Sequence, residues 1–168
     1  MADAKAPQNG TVPPAAGAQA GPQAQVRVLG QFIKDLSFEN PSIGRVQVAE
    51  NEQPNIRIEV NVNAQNMGPN VYESVIELKA HCSVKAGILY DLEIEYGALL
   101  QLENIPEASL EPFLLINCPA LTFPFVRRLV ADITREGGFP PLLLDPIDFA
   151  GLYMQRRQQP AQATNPVA

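Results

Sequence analysis

Residues 55–63 read Asn55-Ile-Arg-Ile-Glu-Val-Asn-Val-Asn63, in which every second side chain is aliphatic. Successive side chains of a β-strand point to opposite faces, so the aliphatic side chains share one face and the polar ones share the other. Such a strand packs one face against a core and leaves the other to water. This stretch therefore predicts a half-buried strand, and the sequence on either side indicates which kind of sheet it joins.

Two stretches that follow it alternate in the same way. Residues 71–85 place on one face Tyr72, Ile76, Leu78, Ala80 and Cys82. Residues 88–102 place on one face Tyr90, Leu92, Ile94 and Tyr96, and on the other Asp91, Glu93 and Glu95. The links at residues 66–70 and 85–87 contain Gly, Asn or Pro, which favour tight turns. Short links between alternating strands predict an antiparallel meander with an apolar face and a carboxylate-rich face.

An earlier stretch, residues 26–39, has a less regular pattern. The residues expected to share its apolar face are Val26, Val28, Phe32, Leu36 and Phe38. Lys34 interrupts this face, and Leu29 and Ile33 fall on the opposite one. The alternation therefore predicts a fourth strand, but a less regular one than the three that follow.

The second half of the chain changes to helical period. An apolar stripe with helical spacing comprises Leu121, Phe125, Val126, Leu129, Val130 and Ile133. Gly137-Gly138 ends this helix. A shorter helix is predicted over residues 109–117, separated from the main one by Cys118-Pro119, and a last helix begins near Asp148 as its N-cap. Strands followed by helices predict an α+β fold, a four-stranded antiparallel sheet with the C-terminal helices packed on one face.

Both ends of the chain have a composition that disfavours folding. Residues 1–24 are rich in Ala, Gln, Gly and Pro, and residues 158–168 have the same character. Segments of this kind bury too little apolar surface to offset the entropy lost on ordering. We predict a disordered N-terminal tail at 1–24, one folded domain at 25–157 and a disordered C-terminal tail at 158–168.

Composition and motifs argue against several classes of function. The chain has 12 Lys and Arg against 18 Asp and Glu, a net charge of −6, and no basic cluster that would suit nucleic acid. It has neither an apolar run of the ~20 residues that a membrane span needs nor the pattern of a signal peptide, which predicts a cytoplasmic protein without membrane insertion. Cys82 and Cys118 lie outside any metal-ligand spacing, so we expect no metal and no cofactor, and either two reduced thiols or a disulfide.

Two groups of residues could still carry a function. His81 is the only histidine and has no nucleophile motif near it, so we predict that the protein is not an enzyme, with a small-molecule hydrolase as the weaker alternative. Asp91, Glu93 and Glu95 share a strand face, either as a solvated surface or as a docking surface for a basic partner. The residues alone leave these two interpretations open.

Three longer stretches resemble the SecB family of bacterial export chaperones. They are Phe32-Ile-Lys-Asp-Leu-Ser-Phe-Glu-Asn-Pro41, Asn117-Cys-Pro-Ala-Leu-Thr-Phe-Pro-Phe-Val-Arg-Arg128 and Gly138-Phe-Pro-Pro-Leu-Leu-Leu-Asp-Pro-Ile-Asp-Phe149. The resemblance extends over nearly all of residues 25–157. It implies a cytoplasmic homotetramer, a dimer of dimers, that holds unfolded preproteins and delivers them to SecA, the motor ATPase of the export channel. A SecB-like chaperone dedicated to one client, such as a toxin–antitoxin module, is the alternative.

The resemblance also implies roles for individual residues. By motif position, the resemblance implies that the residues that dock SecA are Asp35, Glu39 and Glu93. Candidates for the client groove are the aromatic residues Phe32, Phe38, Tyr90 and Phe149, which we expect where strand faces and helices meet. Ordinary core packing is the alternative for each of them.

Overall fold

The computed structural model describes residues 23–46 and 48–158. The strands are β1 (Gln25–Glu39), β2 (Asn55–Gly68), β3 (Val71–Val84) and β4 (Gly87–Glu103). The helices are α1 (Glu107–Pro112), a π-helical turn (Phe113–Asn117), α2 (Cys118–Glu136) and α3 (Phe149–Gln158). The predicted α+β class is confirmed. Nearly all of the predicted tails, residues 1–22 and 159–168, lies outside the described residues.

The four strands form one antiparallel sheet in the order β1-β4-β3-β2. The predicted meander covers β2, β3 and β4, which are joined by turns of two residues. Asn70 supplies the left-handed backbone conformation of the first turn, with φ of 58°. In this order β1 and β2 are the two edge strands. Residues 40–54 connect them.

The helices cover one face of the sheet, here named the inner face, and leave the other, the outer face, uncovered. Inner-face side chains that are at most 1% exposed include Ile76, Leu78, Leu92, Ile94 and Leu100. Ile76, Leu78, Leu92 and Ile94 belong to one cluster with Val126 and Val130 of α2, which are fully buried. Leu100 packs in a second cluster with Leu114 and Cys118. Removal of this apolar surface from water is the main stabilising term of the fold.

Two β-bulges interrupt the pairing of β1 with β4. The register shifts between Val28 and Gly30 and again between Ile33 and Asp35, so Leu29 and Lys34 are the extra residues. Each extra residue reverses the alternation beyond it, because a bulge sets two residues against one on the partner strand. The irregular pattern of residues 26–39 follows from these two bulges.

Because of the bulges, Phe32 lies on the face opposite to the one predicted. Ile33 lies opposite Tyr96, whereas Phe32 lies opposite Gly97, and directly opposed residues share a face. A Cβ atom on Gly97 would come within 2.8 Å of the Phe32 ring, which places that ring on the outer face. The prediction that Phe32 shares the inner face with Leu36 and Phe38 was therefore wrong.

The helical segment is continuous from Glu107 to Glu136, where the sequence predicted two helices separated at Cys118-Pro119. A π-helical turn replaces the predicted break. By length and composition alone this stretch of 30 residues could cross a membrane. One such helix is weak evidence for a membrane span, because a helix that packs in a protein core meets the same criteria. Part of the apolar character of this stretch is the buried stripe of α2 against the sheet.

The last helix begins as predicted. The Asp148 carboxylate accepts a hydrogen bond of 2.9 Å from the backbone N–H of Gly151 in the first turn of α3. This bond satisfies one of the donors that a helix start leaves unpaired.

Candidate docking face and apolar surfaces

The outer face of β1 and β4 carries two adjacent rows of acidic side chains. Beyond the Lys34 bulge β1 is regular, and its residues Asp35, Ser37 and Glu39 lie opposite Glu95, Glu93 and Asp91. Directly opposed residues of antiparallel strands share a face. The structure therefore brings Asp35, Glu39 and Glu93, the predicted docking residues, together on one face.

Basic side chains of β3 reach part of this surface. Lys79 Nζ lies 3.0 Å from a carboxylate oxygen of Glu93, and His81 Nδ1 contacts a carboxylate oxygen of Asp91. The ion pair with Glu93 is the largest cause that raises the pKa of Lys79. Among the described residues, Asp35 and Glu39 form no ion pair. The acidic surface is thus partly neutralised on its β3 side and open on its β1 side.

A buried carboxylate lies beside this surface. Glu73 of β3 is 5% exposed, and its carboxylate accepts hydrogen bonds from Lys34 Nζ, at 2.9 Å, and from Gln65 Nε2. The Lys34 ammonium lowers the pKa of Glu73 against the opposing effect of burial, and Glu73 in turn raises the pKa of Lys34. Sequence reasoning missed this pair. Its only signal was a lysine that interrupted an apolar stripe.

The four aromatic candidates for the client groove do not come together. Tyr90 and Phe149 are only 2% and 4% exposed, which favours core packing for both. Phe38 packs between the Tyr90 ring, with ring centres 5.7 Å apart, and the end of α2 at Gly137. Phe32 lies on the outer face, away from the helices, so the expectation that all four lie where strands and helices meet was wrong for Phe32.

An exposed apolar surface, which the sequence did not single out, lies between β1 and α2. This β1–α2 surface comprises Val26, Val28, Ile33 and Leu36 on the inner face of β1 and Leu121 and Phe125 on α2, each at least 41% exposed. The Phe125 ring stacks on Tyr96, which lies opposite Ile33, so the two parts are adjacent. Contiguous exposed apolar surface of this kind usually marks an interaction site.

Further exposed apolar side chains lie on the connecting segments and α3. They are Ile43, Val48, Leu143 and Met154, of which Leu143 is 69% exposed. Along the β2 edge, Arg156 lines two open cavities of about 380 and 400 Å³. Arg156 donates a hydrogen bond of 2.8 Å to the Val62 carbonyl oxygen of that edge. The first cavity combines this arginine with the apolar side chains of Leu110, Leu114 and Leu115.

The two cysteines and the acidic residues give no sign of metal or redox chemistry in the described part of the chain. Cys82 and Cys118 are free and buried, so the disulfide alternative was wrong. Burial raises the pKa of both thiols, which keeps them protonated and unreactive. Across residues 23–46 and 48–158, no group of three or more His, Cys, Asp or Glu side chains could hold a metal ion.

Known proteins resemble this chain over most of its length. Residues 19–160 match the family model of SecB, described as preprotein translocase subunit SecB. A protein-export protein SecB from Parvibaculum lavamentivorans is 46% identical over 147 residues, which cover 88% of each chain. Another, from Hyphomonas neptunium, is 46% identical over 151 residues, which cover 89% of each chain.

The fold has a counterpart among solved structures. The SecB-like chaperone of Mycobacterium tuberculosis, solved in complex with a peptide from the HigA1 antitoxin, matches with a TM-score of 0.54 at 18% identity. The match covers 74% of this chain and 90% of that one, and it supports the fold alone. The family match and the curated relatives place this chain in the SecB family of protein-export chaperones.

Proposed function

We propose that this protein is a cytoplasmic export chaperone that holds newly synthesised preproteins unfolded and delivers them to the motor ATPase SecA. It acts as a homotetramer, a dimer of dimers, and carries out no catalysis itself. The observation that carries this proposal is the separation of two chemistries by the sheet. Carboxylates occupy the outer face, while exposed apolar side chains lie on the inner side and on the connecting segments.

The docking part of the proposal assigns SecA binding to Asp35, Glu39 and Glu93. These carboxylates share the outer face and point away from the core. Exposed carboxylates contribute little to folding, so a surface that groups several of them is free to attract a basic partner. SecA, with its basic tail, is the partner that the family resemblance implies.

The holding part of the proposal places the client on exposed apolar groups. An unfolded chain offers no fixed shape, so its binder needs apolar contacts combined with backbone hydrogen bonds. Ile43, Leu143 and Met154 offer exposed apolar contacts. The β2 edge adds open cavities and the polar backbone groups of an edge strand. Among the aromatic candidates, Phe38 lies at the junction of β1 with the end of α2, away from the β2 edge. Tyr90 and Phe149 are core residues, and Phe32 lies on the docking side.

A charge reversal tests the docking part. Changing Asp35, Glu39 and Glu93 to Lys should sharply weaken SecA binding, because like charges would then face a basic partner. Wild-type affinity should also fall with added salt, since exposed charges are screened beyond ~8 Å at physiological ionic strength. Calorimetric titration of SecA at two salt concentrations measures both effects.

The control is a second triple variant, Glu50, Glu136 and Asp145 to Lys, which changes net charge equally but leaves the outer face intact. It should bind SecA as wild type does. Both variants should still prevent aggregation of an unfolded preprotein. Unchanged SecA affinity in the outer-face variant would mean that the acidic face is only a solvated surface.

A capture experiment tests the client range. The tagged full-length protein should retain many preproteins and SecA from bacterial cytosol. Retention of one antitoxin in place of many preproteins would instead support a chaperone dedicated to a single client.

A further inference from the structure

Lys79 stands between two carboxylates on the outer face. It lies directly opposite Glu93 on β4 and directly opposite Glu59 on β2. Its ammonium nitrogen is 3.0 Å from a carboxylate oxygen of Glu93, and the two side chains are 56% and 53% exposed. One of the proposed docking carboxylates is therefore already occupied by a lysine of the same chain.

The second carboxylate gives Lys79 an alternative partner. Side chains directly opposed on antiparallel strands have Cβ atoms only ~5 Å apart, and lysine has a flexible four-carbon stem. The ammonium group can therefore reach either carboxylate. Glu59 already acts on it, since its charge raises the pKa of Lys79 after the larger effect of Glu93.

We propose that Lys79 determines partner specificity at the docking face by ion-pair exchange. In the free protein it neutralises Glu93; when a cation of the docking partner takes Glu93, Lys79 transfers to Glu59. This inference rests on the proposed function, because it concerns the same docking surface.

The exchange explains how an exposed acidic face can reject weakly basic proteins. A partner that offers one cation gains little, because it must displace Lys79 and then lies beside it. A partner with several cations also engages Asp35 and Glu39, which form no ion pair within the described part of the chain, and this offsets the displacement. Lys79 therefore raises the threshold for docking, a repulsive element of the kind that specific interfaces use.

The exchange predicts that the effect of Glu59→Gln depends on Lys79, which bulk electrostatics does not. Lys79→Met should tighten SecA binding by about 1.5- to 5-fold, the range expected of exposed ion pairs. Glu59→Gln should weaken it by a similar factor, because Lys79 loses its alternative partner. With Lys79→Met present, Glu59→Gln should have no further effect, since no lysine remains to be transferred.

Calorimetric titration of full-length variants with SecA at low salt provides the measurement. Lys85→Met is the matched control, because it removes the same charge from the nearby β3–β4 turn, and its affinity should stay within error of wild type. Thermal melting of each variant checks that folding is unchanged. If Glu59→Gln weakens binding equally in both backgrounds, or Lys79→Met binds no tighter than Lys85→Met, the exchange is refuted.

Glu93→Gln separates this failure from failure of the proposed function. If Glu93→Gln and the outer-face reversal both leave SecA affinity unchanged, the docking assignment fails, and the inference fails with it. If they weaken binding while Lys79→Met does not tighten it, only the exchange is overturned.

Discussion

At the scale of single residues, Ser74 shows how one hydroxyl holds a helix to the sheet. Its Oγ atom, on a residue 2% exposed, donates a hydrogen bond of 2.8 Å to the Leu114 carbonyl oxygen. In a π-helical turn that carbonyl would bond to the N–H five residues later, but Pro119 occupies the position and has no N–H. The next candidate, the N–H of Cys118, already bonds to Phe113. Ser74 therefore supplies a donor that the helix lacks.

Ser74→Ala should lower the free energy of unfolding by about 1–3 kcal/mol, the usual penalty for a buried acceptor left without a partner. Urea denaturation at a fixed protein concentration measures it. Ser83→Ala is the control, because Ser83 is on the same strand and makes no side-chain hydrogen bond among the described residues; its effect should stay below about 0.5 kcal/mol. Equal effects of the two substitutions would contradict this role for Ser74.

The pair of Glu73 and Lys34 predicts a pH dependence with a definite sign. The pKa of Glu73 in the fold is below its ordinary value of 4.5. The pair therefore stabilises the fold above that value, and this contribution is lost as pH falls through the lowered pKa. Lys34 behaves in the opposite sense, since its pKa is above 10.5 and its contribution is lost as pH rises through the raised pKa.

Glu73→Gln should accordingly flatten the loss of stability below pH 4.5. Urea denaturation of wild type and variant at pH 7 and at pH 3 measures the difference. Glu107→Gln, which neutralises an exposed carboxylate of α1 outside the pair, serves as the comparison. An acid dependence as steep as that of wild type in Glu73→Gln would rule out this pair as a cause.

At the scale of elements, alternation and helical spacing predicted what one segment determines by itself. Strands β2, β3 and β4 follow from strict alternation. The face of Phe32 could not be predicted, because the sequence does not show where a bulge adds one residue to a strand. The only indication was Lys34, a charged residue between apolar ones. The π-helical turn was also unpredictable, since Cys118-Pro119 is typical of a helix break, and the donor that compensates for it comes from Ser74, 40 residues earlier. The burial of Tyr90 and Phe149 likewise depends on packing between elements.

The junction of β1 with the end of α2 depends on the absence of a side chain at Gly137. The Phe38 ring lies against this glycine, and Asn40 Nδ2 donates a hydrogen bond of 3.0 Å to its carbonyl oxygen. The backbone of Gly137 is in the ordinary helical region, with φ of −70°, so the constraint is one of space. A Cβ atom would lie 2.6 Å from Cε1 of Phe38.

Gly137→Ala should therefore lower the free energy of unfolding by about 1–3 kcal/mol, the range for overpacking, although alanine suits a helix better than glycine. Phe38→Leu removes the clash, so adding Gly137→Ala to that variant should cost much less. Chemical denaturation of the four proteins of this double-mutant cycle tests the coupling. Additive effects would show that Phe38 does not impose the glycine.

At the scale of the whole molecule, the sheet separates the acidic outer face, to which we assign docking, from the exposed apolar groups to which we assign holding. Of the four aromatic residues predicted for holding, only Phe32 lies on the docking side. The sequence could predict the acidic outer face, because Asp91, Glu93 and Glu95 alternate with apolar residues. It could not predict the β1–α2 surface, because the exposure of Ile33 and Leu36 results from helices that stop short of β1.

The β1–α2 surface leads to a prediction about assembly. Leu121 and Phe125, one helical turn apart, are 57% and 42% exposed beside the free edge of β1, and a second copy of the chain would bury both. Leu121→Asp would place an unpaired charge in that interface at a cost of several kcal/mol. If the wild type is the proposed tetramer, native mass spectrometry of this variant at micromolar concentration should show a smaller species. Leu121 is a more specific choice than Leu129, because Leu129 also packs against the core of its own chain.

Leu143→Asp is the control, since Leu143 is 69% exposed on the segment between α2 and α3, and this variant should keep the wild-type mass. A monomeric wild type, or a Leu121→Asp variant with the wild-type mass, would show that this surface serves another purpose.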